Sequence, residues 1–512
     1  MEFTSDDPMA TGGTSTTPDP RGSDQHAAVP AGGDHLTLAS GSTTRFVDRL
    51  PPVVVQALTA AGFGVPVALY IWMVHTYAVN LVVNDQFDDV TVIRGSYVHF
   101  FDWHLLWGQH NETRIFVSNL VAVMLAHFDH FNVVDEDYLS AFLLLGAVGL
   151  LMWAHKRRSP NVPWLYYCPV AFLLLTVAQW QNSLWGFQLA WYLTMFCLMA
   201  AIFFVDRLDL NAWSLALAAT FGVVGSLSLI QGFLIWPLGL FLMYHRKRLR
   251  LALPWLIVAA ATAIVYFRNF NTNLGAPYPG YASQHPWASL RFFVFAAGDI
   301  LGVQPQGDYA SKGYPLITLF GVVLLIVAAW VVVTLGVRRD DDTGTPIGVT
   351  LILFATLFDL MVTKGRIIFG YAGAGASRYT TFDILFLCGI YLALLGRKPA
   401  LAPGADPAPV SRSRYRTLTA GATRLARNRR VVTVICVVTG VLIVVQAFSG
   451  YFYGFESASN YYRYEGHELA VEQHAASVPA LDVAGLYLFV HPASWVLRQL
   501  ETLHEHRLGP YG

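Results

Sequence analysis

Eleven runs of mostly apolar residues recur along the chain, and each is close to the length that a helix needs to cross a lipid bilayer. A spanning helix takes about 20 predominantly apolar residues, because its backbone polar groups must be bonded within the segment. Charged residues make up 13% of the 512 residues, against about 25% in typical soluble domains. The sequence therefore predicts an all-α, polytopic transmembrane helix bundle. The runs are 53–77, 138–154, 163–180, 184–205, 211–227, 230–244, 251–268, 314–336, 346–363, 379–396 and 431–449.

The charge balance and the cysteines argue against two broad classes. The chain carries 33 basic and 33 acidic residues, so it lacks the excess positive charge that nucleic-acid-binding proteins use. Its four cysteines, Cys168, Cys197, Cys388 and Cys436, all fall in apolar runs and show no metal-site spacing. They are expected to be small buried hydrophobic residues rather than disulfide partners or metal ligands.

The distribution of Lys and Arg predicts the orientation of the bundle. With the N-terminus in the cytoplasm, 22 of the 33 basic residues fall in cytoplasmic segments, in line with the positive-inside rule. A further apolar stretch, 115–131, contains Ser, Asn, His and Asp, and counting it as a span would move the basic runs HKRR and YHRKRLR outside. It is therefore predicted to be a helix at the membrane interface. The expected protein is a multi-pass protein of the cell membrane with an extracytoplasmic C-terminus.

Composition divides the chain into five parts. Residues 1–45 are rich in Gly, Ser, Thr and Pro and are predicted to be a disordered cytoplasmic tail. Residues 46–396 hold the first ten spans and their outer loops. A Pro/Ala-rich and then Arg-rich segment, 397–430, is predicted to be a cytoplasmic linker that sets the topology or rests on anionic lipid. The last span, 431–449, precedes an extracytoplasmic tail over 450–512.

The first outer loop, 78–137, is strongly acidic, with nine acidic residues and two basic ones. Asp85, Asp88 and Asp89 follow the end of the first span, where a carboxylate can accept a proton from a hydroxyl that attacks a sugar carbon. These residues are the candidate catalytic residues. The alternative is that they are only solvated charges near a helix end.

A second polar group in this loop precedes the predicted interfacial helix. His110, Glu112 and Arg114 are spaced so that they can reach a shared pocket, and an Arg at this place can anchor at the interface. Glu112 and Arg114 can equally be charges of a first helical turn. The three are candidate substrate-binding residues.

The second outer turn, QWQNSLWGFQ, combines amides with tryptophans. Carbohydrate sites use this combination, because aromatic faces stack on sugars while amides give directional hydrogen bonds. An ordinary interfacial aromatic belt accounts for the tryptophans but not for the amides. The candidate substrate-binding residues of this turn are Gln179, Trp180, Gln181, Asn182, Trp185 and Gln188.

The outer segment 364–378 is short, basic and rich in glycine. Its Lys364, Arg366 and Arg378 suit a phosphate group, since Arg binds phosphate oxygens through paired hydrogen bonds. Snorkelling of cationic side chains at the ends of spans is the alternative. The segment is the candidate donor-phosphate site.

Two carboxylates, Asp359 and Asp383, lie inside predicted spans, nearer their outer ends. Ionisable residues within a membrane are costly and are usually functional or paired. Asp383 is expected to pair with Arg378, five residues away, or with a residue of another helix. A structural ion pair and a functional role both fit the sequence.

This layout resembles the GT-C superfamily of integral membrane glycosyltransferases, which use polyprenyl-phosphate sugars as donors. The shared features, over roughly residues 53–396, are many helices, an acidic motif after the first span, an interfacial helix in the first outer loop and a late basic outer loop. The QWQNSLWGFQ and SRYTTF stretches are similar to segments of bacterial multi-pass proteins of this type. The chain differs from the family in lacking a large soluble outer domain.

The resemblance implies a glycosyltransferase that acts by a single displacement at the outer face of the cytoplasmic membrane. An Asp of the first outer loop (Asp85, Asp88 or Asp89) would act as base or organise the acceptor, and the cations of 364–378 would hold the donor phosphate. Some members use a divalent metal, and the three aspartates offer oxygen ligands to Mg²⁺ or Mn²⁺.

The partners that the resemblance implies are a polyprenyl-phosphate-linked sugar, a glycan, lipid or protein acceptor, and membrane lipid, with no nucleic acid. The rival function is a multi-pass transporter or flippase of a lipid-linked or polar substrate. That class is expected to show spans broken by Gly or Pro at the midplane and an internal repeat. The polar residues of this chain instead crowd one face.

Overall fold

The computed structural model describes residues 49–272, 280–303, 309–336, 343–397, 428–473 and 493–512. These residues are helical, and a single antiparallel bridge, between His110 and Thr113, is the only β-type pairing among them. The all-α fold class is thus confirmed. The predicted disordered tail, 1–45, and nearly all of the predicted linker, 397–430, lie outside the described residues.

Fifteen helices of seven or more residues occur in the described part of the chain. Short 3-10 and single-turn helical segments connect many of them. The helices are α1 (Pro52–Tyr77), α2 (Phe87–Ser96), α3 (Phe116–Phe128), α4 (Val133–Arg158), α5 (Cys168–Leu174), α6 (Leu189–Val205), α7 (Ala212–Ser228), α8 (Ile235–His245), α9 (Ala252–Phe267), α10 (Pro286–Gly298), α11 (Tyr309–Val331), α12 (Thr345–Arg366), α13 (Thr380–Leu395), α14 (Arg429–Gln473) and α15 (Ala493–His506).

Eight helical stretches of the described residues are long and apolar enough to cross a membrane, which supports a membrane protein. Each of them corresponds to one of the predicted apolar runs. They are Pro52–Tyr77, Val133–Arg158, Gly186–Val205, Leu249–Phe267, Tyr314–Gly336, Thr345–Phe369, Ser377–Leu395 and Arg429–Leu469.

The other three predicted runs take a different form. Run 211–227 is helix α7, and run 230–244 is a 3-10 turn continued by α8; both are apolar but shorter than the eight. Run 163–180 is not one continuous helix, because the seven-residue α5 lies between 3-10 turns. Pro169 stands in the first turn of α5, and a proline there has no N–H with which to continue a helix from the preceding residues.

The last apolar helix is longer than the sequence predicted. Its run was expected to end at 449, yet α14 continues to Gln473. The extension packs against the chain after α5: Tyr451 donates a hydrogen bond to the carbonyl of Leu175 at 3.1 Å, and a Cβ on Gly454 would collide with the backbone of Val177. Residues 450–473, which were assigned to a tail, therefore form part of the bundle.

The residues between α1 and α4, 78–132, are called the first polar loop. A second hydrophobic core lies apart from the main one and joins this loop to the C-terminal helix α15. Val90 of α2, Val123 of α3 and Leu503 of α15 all belong to it. The N–H of Gly509 donates to the carbonyl of His130 at 2.8 Å. These contacts fix the C-terminal helix at the same end of the bundle as the first polar loop.

Helix α3 is the short helix that the sequence placed at the interface over 115–131. It buries Ala122, Val123 and Ala126, while Met124 and Phe128 stay exposed. One face of the helix therefore packs in the second core, and the other face presents apolar side chains at the surface.

The two ends of the bundle carry different polar clusters. At one end Asp206 is fully buried and accepts hydrogen bonds from Arg158 Nε at 2.9 Å and Arg246 Nε at 2.5 Å. We call this the arginine end. The 26-residue helix α4 runs from there over about 39 Å, at 1.5 Å per residue, to Val133, whose N–H bonds Asn80 of the first polar loop. We call that opposite end the acidic end.

Candidate active site

The first polar loop places its three aspartates on two short elements at the acidic end. Asp85 lies in a 3-10 turn, Asn84–Gln86, and Asp88 and Asp89 lie in the first turn of α2. Carboxylates at a helix N-terminus are stabilised by the unpaired backbone N–H groups and the helix dipole. The side chains of Asp85 and Asp88 are partly exposed, at 25% and 36%, whereas Asp89 is buried.

His110 is the partner of the two accessible aspartates. The bridge between His110 and Thr113 closes a turn that presents the imidazole to α2. Its Nδ1 lies 2.7 Å from Asp88 Oδ2, and its Nε2 lies 3.7 Å from Asp85 Oδ2. Burial alone would lower the pKa of His110, but the hydrogen bonds and negative charges of the two aspartates outweigh it and raise the pKa to about 10. The ring is therefore a cation at neutral pH.

Asp89 is buried, unlike Asp85 and Asp88. Burial, and then the nearby charge of Glu136, raises its pKa well above the usual value. Glu136, on α4, accepts a hydrogen bond from Gln86 Nε2 at 2.8 Å. A carboxyl group that holds its proton is poorly suited to act as a base, so Asp85 and Asp88 are the better candidates.

The site does not fit a divalent metal ion. Within the described residues no group of three His, Cys, Asp or Glu side chains is arranged to hold one. Both ring nitrogens of His110 are already engaged by the protein, Nδ1 by Asp88 and Nε2 by Asp85 and the side-chain amide of Asn111 at 2.8 Å.

An ion pair joins the acidic loop to the basic segment 364–378. Arg366, at the end of α12, contacts the Glu112 carboxylate through its guanidinium group. Both side chains remain partly exposed, at 26% and 38%. Two candidate groups that are 254 residues apart in sequence therefore meet at the acidic end.

The two other cations of that segment differ in exposure. Lys364 is exposed, and Arg378 is half-buried with its guanidinium carbon 5.6 Å from the centre of the Tyr379 ring. All three basic residues thus retain surface that solvent or a ligand can reach.

Arg114 has a different environment. It is buried and donates hydrogen bonds to the backbone carbonyls of Tyr266 at 3.0 Å and Arg268 at 3.1 Å, as well as to Trp107. The Tyr266 hydroxyl in turn accepts the N–H of Arg114 at 2.8 Å. The guanidinium group thus fastens the end of α9 to the first polar loop, and its donors are occupied by the protein.

The amides of the second turn hold the start of α13. Asn182 donates to the carbonyl of Arg378 and to Thr381 Oγ1, both at 2.8 Å, and Thr381 donates to Gln179 Oε1 at 2.9 Å. Gln179 and Asn182 are buried, and the half-buried Gln181 donates its backbone N–H to Ser377 Oγ at 3.2 Å. The QWQNSLWGFQ and SRYTTF stretches therefore pack on each other.

The aromatic residues of the same turn reach toward the acidic loop. Phe187 lies 5.0 Å from the His110 ring and 5.7 Å from Trp185, measured between ring centres. Trp180 is 5.0 Å from Tyr461 of α14. Among the described residues, the indole N–H groups of Trp180 and Trp185 are buried and have no hydrogen-bond partner. Gln188 is buried.

Sequence reasoning missed several residues of this region. Tyr461 was placed in a tail, although it approaches Trp180, and the buried Glu136 and Gln86 were not among the candidate residues. Gly186 allows the second turn to approach that pair, because a Cβ there would collide with the Glu136 carboxylate. The glycine between two aromatic residues, in WGF, was the available signal.

The stability of the protein should fall as the pH rises through the pKa of His110. The folded pKa lies above the ordinary 6.5, so the stabilisation is complete below about pH 6.5 and is lost as the pH rises through about 10. We expect His110→Gln to flatten this decline. Melting temperatures of the detergent-purified protein across that range measure it. His99→Gln, at an exposed position, is the control, and equal pH slopes for the two variants would contradict the assignment.

Comparison of the whole chain with protein families, curated proteins and solved structures gives no match. What the chain does is therefore inferred from the geometry of this site.

Proposed function

We propose that the chain is an integral membrane glycosyltransferase of the GT-C type. It would move a sugar from a polyprenyl-phosphate donor to a hydroxyl of a glycan, lipid or protein acceptor at the outer face of the cytoplasmic membrane. The observation that carries the proposal is the contact between Glu112 and Arg366, which brings the acidic first loop and the basic segment 364–378 to one end of the bundle. A transferase of this kind needs a base and phosphate-binding cations within reach of one substrate.

The base in this proposal is Asp88. It is the more exposed of the two aspartates on His110, and the imidazolium 2.7 Å away holds it in place. It would take the proton of the acceptor hydroxyl while that oxygen forms a bond to the anomeric carbon and the bond from that carbon to the donor phosphate oxygen breaks. Asp85, on the other side of the ring, would orient the acceptor or stabilise the imidazolium.

The leaving group is a lipid phosphate, on which negative charge grows as the glycosidic bond breaks. Arg366, Lys364 and Arg378 would offset that charge, and preorganised cations of this kind lower the barrier because they need no rearrangement during the reaction. Glu112 would keep Arg366 oriented toward the acidic loop before the donor arrives.

An apolar cavity of about 1040 Å³ between α5 and α14 suits the hydrocarbon tail of the donor. Phe172 of α5 and Phe448, Phe452 and Phe455 of α14 line it, and Glu456 is the charged residue in its wall. A polyprenyl chain has no hydrogen-bonding groups, so such a lining satisfies it fully.

We further propose eleven crossings, made of the eight long helices and the three shorter apolar runs. Run 163–180 starts near the arginine end, where Tyr167 is 2.9 Å from His155, and reaches Ala178, whose carbonyl accepts from Ser377 at the acidic end. Helix α7 leads to Ile230, whose N–H bonds Thr113 of the first loop, and α8 then returns to the arginine end. An odd number of crossings agrees with the packing of the C-terminal helix on the first loop.

The arginine end is the cytoplasmic one in this proposal. It carries Arg157, Arg158, Arg207, Arg246 and Arg248, and an excess of positive charge in short loops marks the cytoplasmic side. The candidate site then faces outward, where a lipid-linked donor of the outer leaflet can enter from the side.

A transfer assay in membrane vesicles tests the proposed function. Vesicles containing the chain receive a synthetic polyprenyl-phosphate sugar labelled in the sugar, and vesicles without the chain are the control. We expect labelled product only when the chain is present. If no sugar is transferred and the chain instead moves the intact labelled lipid between leaflets, detected by oxidation of its sugar with impermeant periodate, the protein is a flippase and not a transferase.

A further inference from the structure

Two buried carboxyl groups meet inside the helix bundle, away from the candidate active site. Asp359 of α12 and Asp383 of α13 are both fully buried. The two helices pack so closely that a Cβ on Gly348 would collide with the backbone of Gly389. Of the partners that the sequence left open for Asp383, the structure gives a residue of another helix rather than Arg378.

The two carboxyl groups lie close to each other where α12 packs on α13, beside the rings of Phe358 and Phe382, whose centres are 5.0 Å apart. An ionised carboxylate has acceptors only, so two adjacent carboxylates repel unless a proton lies between them. No donor among the described residues hydrogen-bonds any of the four carboxyl oxygens. A shared proton would therefore take the place of a cationic partner.

The surroundings of the pair add negative charge and no positive charge. Asp299, which is also buried, is the further charged group that acts on it in the described part of the chain. Two uncharged groups share the helix faces of the pair: Thr363 is four residues after Asp359, and Thr380 is three residues before Asp383.

Both threonine hydroxyls are buried, and among the described residues neither has a hydrogen-bond partner. Other threonines of α12, such as Thr350 and Thr356, donate to the carbonyl four residues earlier, at 2.8 Å. The hydroxyl groups of Thr363 and Thr380 therefore remain unbonded donors on the helix faces that carry the two carboxyl groups. Such donors can stabilise the carboxylate that is left when the shared proton departs.

We propose that Asp359 and Asp383 form a proton-binding site buried between α12 and α13. The site exchanges one proton with water: the loaded form is a carboxylic acid bonded to a carboxylate, and the unloaded form is two carboxylates that accept from Thr363 and Thr380. Asp359 lies seven residues before Arg366, or about 10 Å along the helix.

Labelling with a hydrophobic carbodiimide tests the site, because the reagent modifies protonated carboxyl groups in apolar surroundings. We expect modification of the Asp359 or Asp383 peptide in the full-length protein at neutral pH, read by mass spectrometry, and its loss at strongly alkaline pH. Asp206 is equally buried but is paired with two arginines, so its peptide should stay unmodified. Absence of label on the pair, or equal label on Asp206, would overturn the proposal.

A variant distinguishes two explanations of the label: a proton shared by the two carboxyl groups, or protonation of a single carboxyl group through burial alone. In Asp383→Asn the amide can donate to Asp359, so the fold is kept while Asp359 no longer needs a proton. We expect this variant to lose the label on Asp359. Undiminished label would contradict the shared proton. Protection of the wild-type pair by Na⁺ at fixed pH would also overturn the proposal, in favour of a metal cation.

Discussion

Replacement of Asp206 by Asn is expected to lower the free energy of unfolding by about 3–5 kcal/mol, the cost of breaking a buried ion pair by removing one partner. Asp206 is the shared acceptor of Arg158 and Arg246, and all three side chains are buried. Without the carboxylate, two guanidinium groups stay in the bundle with no compensating charge. The melting temperature of the detergent-purified protein measures the effect.

The matched control is Asp209→Asn, three residues away in the same loop, because Asp209 is exposed. It should change stability by less than about 0.5 kcal/mol. If both variants unfold at the wild-type temperature, Asp206 does not tie the ends of α4, α6 and α8 together.

The second large effect is expected at the candidate active site. Asp88→Asn should reduce sugar transfer by about 10²–10⁴-fold, the usual contribution of a general base. The amide keeps the shape of the side chain but cannot accept the proton of the acceptor. Initial rates in the vesicle assay measure the loss, with the amount of folded protein held equal.

Two companion variants sharpen this result. Asp135→Asn changes an exposed carboxylate at the acidic end and should leave the rate unchanged. Asp89→Asn should cost far less than Asp88→Asn, because the buried Asp89 already holds its proton. A rate loss that is greatest for Asp89→Asn would contradict the choice of base.

The fold was largely predictable because a helix that crosses a membrane requires a long apolar run, which can be recognised in the sequence. Each of the eight long helices matches a predicted run, and the short helix α3 lies where polar residues interrupt the apolar stretch 115–131. The ends of helices were less predictable. Helix α14 continues past 449 through polar residues because it packs against the chain near Leu175, and such a contact has no local sequence signal.

The candidate site was predictable in its residue types but not in its pairings. His110 and Asp88 were singled out separately, yet the contact between them depends on a turn closed by the bridge from His110 to Thr113. The amides Gln179 and Asn182 were expected to face a sugar, whereas their hydrogen bonds hold the start of α13. Arg114 likewise binds backbone carbonyls. Polar residue types alone do not distinguish a ligand contact from a tertiary one.

The central claim is that the acidic first loop and the basic segment 364–378 share one compartment at one end of the bundle. A double variant, Glu112→Cys with Arg366→Cys, in a background with the exposed Cys436 replaced by Ser, tests it most directly. We expect a short bifunctional thiol reagent to cross-link the two positions in intact membranes, and not to cross-link Glu112→Cys with Arg207→Cys. Failure of the first pair to cross-link, with impermeant thiol reagents reaching its two cysteines from opposite sides of the membrane, would contradict the claim.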